Sequence, residues 1–439
     1  MNSFDFTPKR RKDLLQFVHS SLEDFYANTK DLSVSSDWNF QAVKAAATTL
    51  DLEDGQEAIS VVEHLIQGLK QYAVHTPHPN YFGLFNPRAN FSAIVGDLIT
   101  ATLNPQLAAW SHAPFANEIE NHLIQEFGQK FGYQETDGTF CSGGAESNLT
   151  AVICALNHHF PNFRATGVRG IAQQPIIYCS SESHHSIAKA ARITGLGMAS
   201  VKSIPVNDQL QMDIPKLKAQ IQLDRKNGSL PFMLIGTAGT TGAGAIDDLE
   251  TLALLASEEK VWFHVDAAYG GAVVISEQYK SLMKGIEWSD SITLDLHKWF
   301  SVPMGASIFL TSKKRILHQA FQIKTKYMPD DGDTNIMTNP YIHSVQWSRR
   351  FIGLKIYMPL AIHGWSAYEA LINHQIGMMK DFKHQLLKVG WKVLNHTQLP
   401  IACFNHPKLD SNDKVTRFVD RINTSGKVWL STYPINGQN

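Results

Sequence analysis

At 439 residues the chain is too long for one small core, so two or three domains are expected. Hydrophobic residues make up 44% and charged residues 18%, the balance of an ordinary water-soluble globular protein. A formal net charge of -1 and a pI near 7.0 exclude the broad electrostatic pull toward nucleic acid or an anionic membrane.

Four cysteines, Cys141, Cys154, Cys179 and Cys403, are scattered without metal or disulfide spacing, the pattern of reduced thiols in a cytoplasmic protein. The start of the chain is polar and basic, with no long apolar run after it, so neither a signal peptide nor a membrane span is expected. From about 10 to 75, apolar residues recur at helical spacing: Leu14, Leu15, Val18, Leu22 and Phe25, then Ala58, Val61, Val62, Leu65 and Leu69. The stretch 75–88 is a loop by its prolines, yet it is aromatic, which points to an interface or a pocket wall. A helix over 92–103, a Pro-bounded stretch at 104–114 and a helix over 117–131 follow.

Ser142-Gly143-Gly144-Ala145 is a small-residue turn feeding a helix that runs to about Leu156. Free N–H groups at such a start can hold a phosphate, although a plain loop-to-helix connection has the same wording. From 175 onward, strands alternate with helices: strands at 175–180, 201–204, 232–236, 261–265 and 304–310, and helices near 186, 214–223 and 248–258. That alternation predicts an α/β domain with a mostly parallel sheet and a site at the strand C-terminal ends. After a polar loop at 328–341, helical patterns run from 347 to 389. Short strand-like pieces at 392–394 and 428–432 predict a smaller C-terminal α+β domain. The expected division is 1–88 (N-terminal helical segment), 89–365 (large domain) and 366–439 (small domain, short for its kind).

Several chemically expressive residues fall at strand ends. The strand at 261–265 ends in Asp266-Ala267-Ala268-Tyr269, a carboxylate followed by small residues, suited to a flat ring. The strand at 175–180 leads to His184 and His185, and an apolar run leads to His297 and Lys298. Lysine forms Schiff bases when its amine is kept partly desolvated. A phosphate cradle, a ring-nitrogen carboxylate, an aromatic cap and a lysine are together what pyridoxal 5′-phosphate (PLP) requires. No metal site is expected.

The order and wording of these pieces resemble the group II PLP-dependent decarboxylases, which act on aromatic amino acids, glutamate or 2,4-diaminobutyrate. The most specific matches are His264-Val-Asp266-Ala-Ala-Tyr-Gly270-Gly271 and Asp295-Leu-His297-Lys298-Trp299. The resemblance implies the aspartate-aminotransferase-like fold (fold type I), a homodimer with residues of both subunits in each site, and decarboxylation of an L-amino acid to its amine. It implies Lys298 as the Schiff-base lysine and Asp266 as partner of the pyridinium nitrogen, with Ala268 beside the ring. His184 is implied to stack on the ring, with His185 the competing choice. Gly143, Gly144, Ala145 and His297 are implied at the phosphate. Thr240 is implied on the cofactor side, an ordinary turn hydroxyl being the alternative.

A loop tyrosine before an Arg-Arg-Phe run is implied as proton donor; here Arg349-Arg350-Phe351 sets the register and selects Tyr341, with Tyr327 next. Gln106, with Asn86 and Arg88 from the proline-rich loop, could favour a polar or acidic substrate side chain, a plain surface location being the alternative. Relatives continue past the equivalent of 428–433 with another strand and helix, including an arginine, whereas this chain stops at Asn439. A PLP-dependent aldehyde synthase or aminotransferase, or a silent PLP-binding dimer, are the competing readings on this scaffold.

Overall fold

The computed structural model describes residues 4–323 and 338–435. The chain forms two compact units, one of residues 1–88 with 408–439 and one of residues 89–407. The first unit is mainly helical, with helices Pro8–Asn28, Phe40–Ala47, Ala58–Tyr72 and Asn412–Thr424. Their starts follow capping rules: Thr7, Asn39, Glu57 and Ser411 each accept an N–H from the first turn through a side-chain oxygen. The strand expected at 428–432 reduces to one bridge, Tyr81 with Trp429, whose rings also stack at 5.3 Å. The segment finds only that single partner backbone, so no ladder propagates.

The second unit is built on a seven-stranded sheet. Its strands are β1 (Asp137–Cys141), β2 (Pro175–Ser180), β3 (Val201–Ile204), β4 (Leu230–Thr237), β5 (Trp262–Asp266), β6 (Ser291–Asp295) and β7 (Ser307–Thr311). Their spatial order is β1-β7-β6-β5-β4-β2-β3. β3, β2, β4, β5 and β6 pair in parallel, and β7 runs antiparallel to both β6 and β1. The central strands are buried along their whole length, as expected where helices cover both faces of a parallel sheet. This is the α/β, fold type I arrangement that the motifs imply.

The register decides where chemistry can occur. Asp266, the last residue of β5, lies opposite Thr293 of β6, and Asp295, the last of β6, lies opposite Ser307. β1 is antiparallel to β7 and so ends at this same edge, where it feeds the helix Gly144–His159. Small residues on that helix, Ala151, Cys154 and Ala155, let it lie close on the sheet against Ile177, Met233, Trp262 and Phe309. The helix runs three residues past the expected Leu156.

The helical pattern expected from 347 begins instead at Leu354. Glu120 is the reason: its buried carboxylate accepts the N–H groups of Ile352 and Gly353 and pairs with Arg349 at 2.5 Å, holding that segment out of a helix. Leu354–Lys388 is then two helices meeting at Gly364, whose φ of 72° is open to glycine at little cost. A two-stranded ribbon, β8 (Lys392–Val393) with β9 (Phe404–Asn405), follows. All four cysteines are free thiols. No described helix is long and apolar enough to cross a membrane.

Phe309 is fully buried in β7 beneath the helix Gly144–His159. Phe309→Ala is expected to cost about 3–5 kcal/mol, whereas truncating the exposed Leu254 shifts stability by about 0.5 kcal/mol or less. Denaturant midpoints of the two variants check this.

Candidate active site

β5 ends in a carboxylate that would be costly to bury without partners. Asp266 is 6% exposed and accepts an N–H from Asn148 at 2.9 Å and from the Ala268 backbone at 3.2 Å. Asn148 lies on the helix Gly144–His159 and is itself buried. Its amide oxygen faces His264 Nε2 at 3.0 Å and accepts the Thr293 hydroxyl at 2.9 Å, while its nitrogen also donates to Ser186. His264 Nδ1 lies 2.8 Å from the Ser291 hydroxyl, which accepts the Trp262 indole N–H.

One proton arrangement satisfies the whole chain. Trp262 donates to Ser291, Ser291 to His264, and His264 Nε2–H to Asn148, which orients its amide toward Asp266. Burial pushes the His264 pKa down to about 4, so the imidazole is neutral near pH 7. Asp266 therefore receives hydrogen bonds from neutral groups only, and among the described residues it makes no ion pair.

β6 delivers the second group. Asp295 is 4% exposed; its Oδ2 lies 3.1 Å from Lys298 Nζ and 3.8 Å from His297 Nε2. The turn after Lys298 is pinned by Asn90, whose backbone and side-chain N–H groups both donate to the Ser301 carbonyl while its Oδ1 caps the helix Phe91–Leu103. Trp299 stacks on Tyr269 at 5.2 Å. His297 is held by the Ala306 carbonyl, 2.7 Å from Nδ1, and burial lowers its pKa.

The helix Gly144–His159 starts beside these residues. Glu146 and Ser147 are the first to return an N–H to the Gly143 carbonyl, so the N–H groups before them lie outside the helical ladder. Among the described residues, a Cβ on Gly143 would meet only His297 Cε1, at 3.8 Å. Gly144 has no such room, because a Cβ there would lie 2.9 Å from Asp295.

His184 is exposed, and its Nδ1 accepts the Ser186 N–H at 3.2 Å, which ties it through Ser186 and Asn148 to Asp266. His185 is also exposed and directly precedes the helix Ser186–Ile193. Thr240 is buried, its hydroxyl accepting the Ala245 N–H to close a turn. Tyr341 is half-buried, donates its N–H to Ala108 and packs its ring 5.0 Å from Trp347. Tyr327 lies outside the described residues, as does most of the 328–341 loop.

Of the residues considered for substrate reading, Arg88 lies 3.7 Å over the Tyr26 ring in the first unit, and Gln106 donates to Ser348 in the second. Asn86 belongs to the first unit. Sequence reading passed over Asn148 and assigned no role to His264, Thr293, Ser291 or Asp295. The only local signal was the presence of His264 and Asp295 inside the quoted motifs.

These residues fit PLP. Among the described residues, an amine, a carboxylate served by neutral donors alone and an uncrowded glycine turn at a helix start lie on one sheet edge.

Comparison with known proteins agrees. Residues 45–406 match the pyridoxal-dependent decarboxylase conserved domain. The chain is 29% identical over 390 residues to an aromatic-L-amino-acid decarboxylase of Bacillus atrophaeus, covering 87% of this chain and 79% of that protein. It is 30% identical over 362 residues to an L-2,4-diaminobutyrate decarboxylase of Acinetobacter baumannii, covering 77% and 70%. The crystal structure of mouse CSAD superposes with a TM-score of 0.90 at 26% identity, over 98% of this chain and 94% of that one. The chain belongs to the pyridoxal-dependent decarboxylase family.

Proposed function

We propose that this chain removes the α-carboxylate of an L-amino acid as carbon dioxide and releases the amine, with Lys298, Asp266, His184 and Tyr341 as the residues that act. The observation that carries this reading is the pairing of β5 with β6. It sets Asp266, hydrogen-bonded only by neutral groups, beside the strand that delivers Lys298. When bound, PLP supplies the ring that takes up the electrons released as the Cα–carboxylate bond breaks.

The protein's own residues supply position and charge. Gly143, Gly144 and Ala145 present N–H groups to the phosphate, with His297 alongside. Asp266 would hold the proton on the ring nitrogen through the attraction of opposite charges. Lys298 would hold the cofactor through its amine. His184 covers the ring from the sheet edge, with Ala268 and Thr240 lining it. Tyr341 would give a proton to Cα after carbon dioxide leaves.

The substrate's side chain is the finer question. The relatives act on aromatic amino acids and on 2,4-diaminobutyrate at nearly equal identity, 29% and 30%. A panel of amino acids scored for amine product decides between a polar and an aromatic side chain. We also place the enzyme as a cytoplasmic homodimer. Phe91, Ile94, Leu98 and Leu103 are exposed along the helix Phe91–Leu103, an apolar stripe of the kind a second subunit covers.

Three outcomes are expected. Lys298→Ala abolishes covalent attachment, so borohydride no longer fixes the cofactor to the chain by mass spectrometry, and amine output falls by orders of magnitude. Asn148→Ala weakens PLP retention roughly tenfold, because Asp266 loses a charge-assisted hydrogen bond; equilibrium dialysis measures it. Tyr341→Phe keeps cofactor and substrate binding but loses amine, with aldehyde and ammonia formed in its place. Wild-type amine output from this variant moves the proton donor elsewhere.

A further inference from the structure

Asp295 explains none of the steps above, yet it is among the most constrained side chains of the site. One oxygen lies 3.1 Å from Lys298 Nζ, and the other is buried with no hydrogen-bond partner among the described residues. Both face the start of the helix Gly144–His159, since a Cβ on Gly144 would come within 2.9 Å of Oδ2 and 3.0 Å of Oδ1. A helix start of this kind draws an anion through its unused N–H groups and its dipole.

We propose that Asp295 is a resident anion at the phosphate end of the site, which holds Lys298 in the cofactor-free chain and competes electrostatically with the phosphate of incoming PLP. This rests on the functional reading above. In the cofactor-free chain the carboxylate and the ammonium balance each other. Loading condenses the Lys298 ammonium with the cofactor's aldehyde, releasing water and a proton to solvent, and brings a phosphate to the same helix start, so Asp295 loses its counter-ion and gains an anionic neighbour. Asp295 is buried, and repulsion at its carboxylate is poorly screened. Glu146 adds a second carboxylate close by, accepting the Ser142 N–H and hydroxyl and the Gln346 amide. Asp295 thereby caps cofactor affinity and keeps loading reversible.

The test titrates the cofactor-free protein with PLP, with inorganic phosphate and with pyridoxal, which lacks the phosphate. Wild type is compared with Asp295→Asn and, as a second neutral variant, Asp295→Ser, with melting temperatures to establish folding. PLP and inorganic phosphate are expected to bind about tenfold tighter to the folded neutral variants, about 1.4 kcal/mol, while pyridoxal changes by less than about twofold. Unchanged or weaker PLP binding by a folded neutral variant overturns the proposal and makes Asp295 a support of the cradle. An equal gain for pyridoxal also overturns it, since the effect then runs through Lys298. If wild type itself binds no PLP, the functional reading fails, and the inference with it.

Discussion

The site depends on one buried amide. Asn148 stands between a neutral histidine that donates and an aspartate that accepts, and its two ends cannot be exchanged without placing like against like. Were it reversed, its oxygen would face the Asp266 carboxylate and its nitrogen would face the N–H of His264. The Trp262 indole, which can only donate, starts the sequence of donors that prevents this. Five side chains on a helix and two strands thus agree on a single orientation, the condition under which a buried polar network specifies structure.

The same helix serves two ends of one ligand. Asn148 on its first turns reaches Asp266, while the helix start, only a few residues earlier, lies against Asp295 and beside His297. The small residues farther along let it lie close enough on the sheet for both contacts. A bulkier residue at Ala151 or Ala155, both fully buried, would lift the helix and disturb both ends together. Packing of the core and precision of the site are therefore one constraint, carried by the helix Gly144–His159.

Much of this was legible in the chain. Alternating apolar strands and helices announced a parallel sheet, and β5 and β6 end within a residue of where their apolar runs stop. Lys298 and Asp266 were visible because each follows such a run directly, where the site of an α/β sheet must lie. The late start of the helix at Leu354 was hidden, because the periodicity of 347–353 is helical and only the distant Glu120 claims its N–H groups. Residues 428–432 look like a strand and become a single bridge, since a strand needs a continuous partner that composition does not reveal.

What the sequence determined by itself was the set of local words: the glycine turn, the carboxylate after β5, the lysine after β6, and the fold class that puts them on one edge. Those follow from propensities and motifs confined to a few neighbouring residues. Tertiary structure decided what those groups touch. Asn148 meets Asp266 across 118 positions of sequence, and Asp295 meets Gly144 only because β1 and β6 end at the same edge with β7 between them. Hydrogen-bond direction and charge balance are properties of such meetings, and no stretch of chain contains them before the sheet has formed.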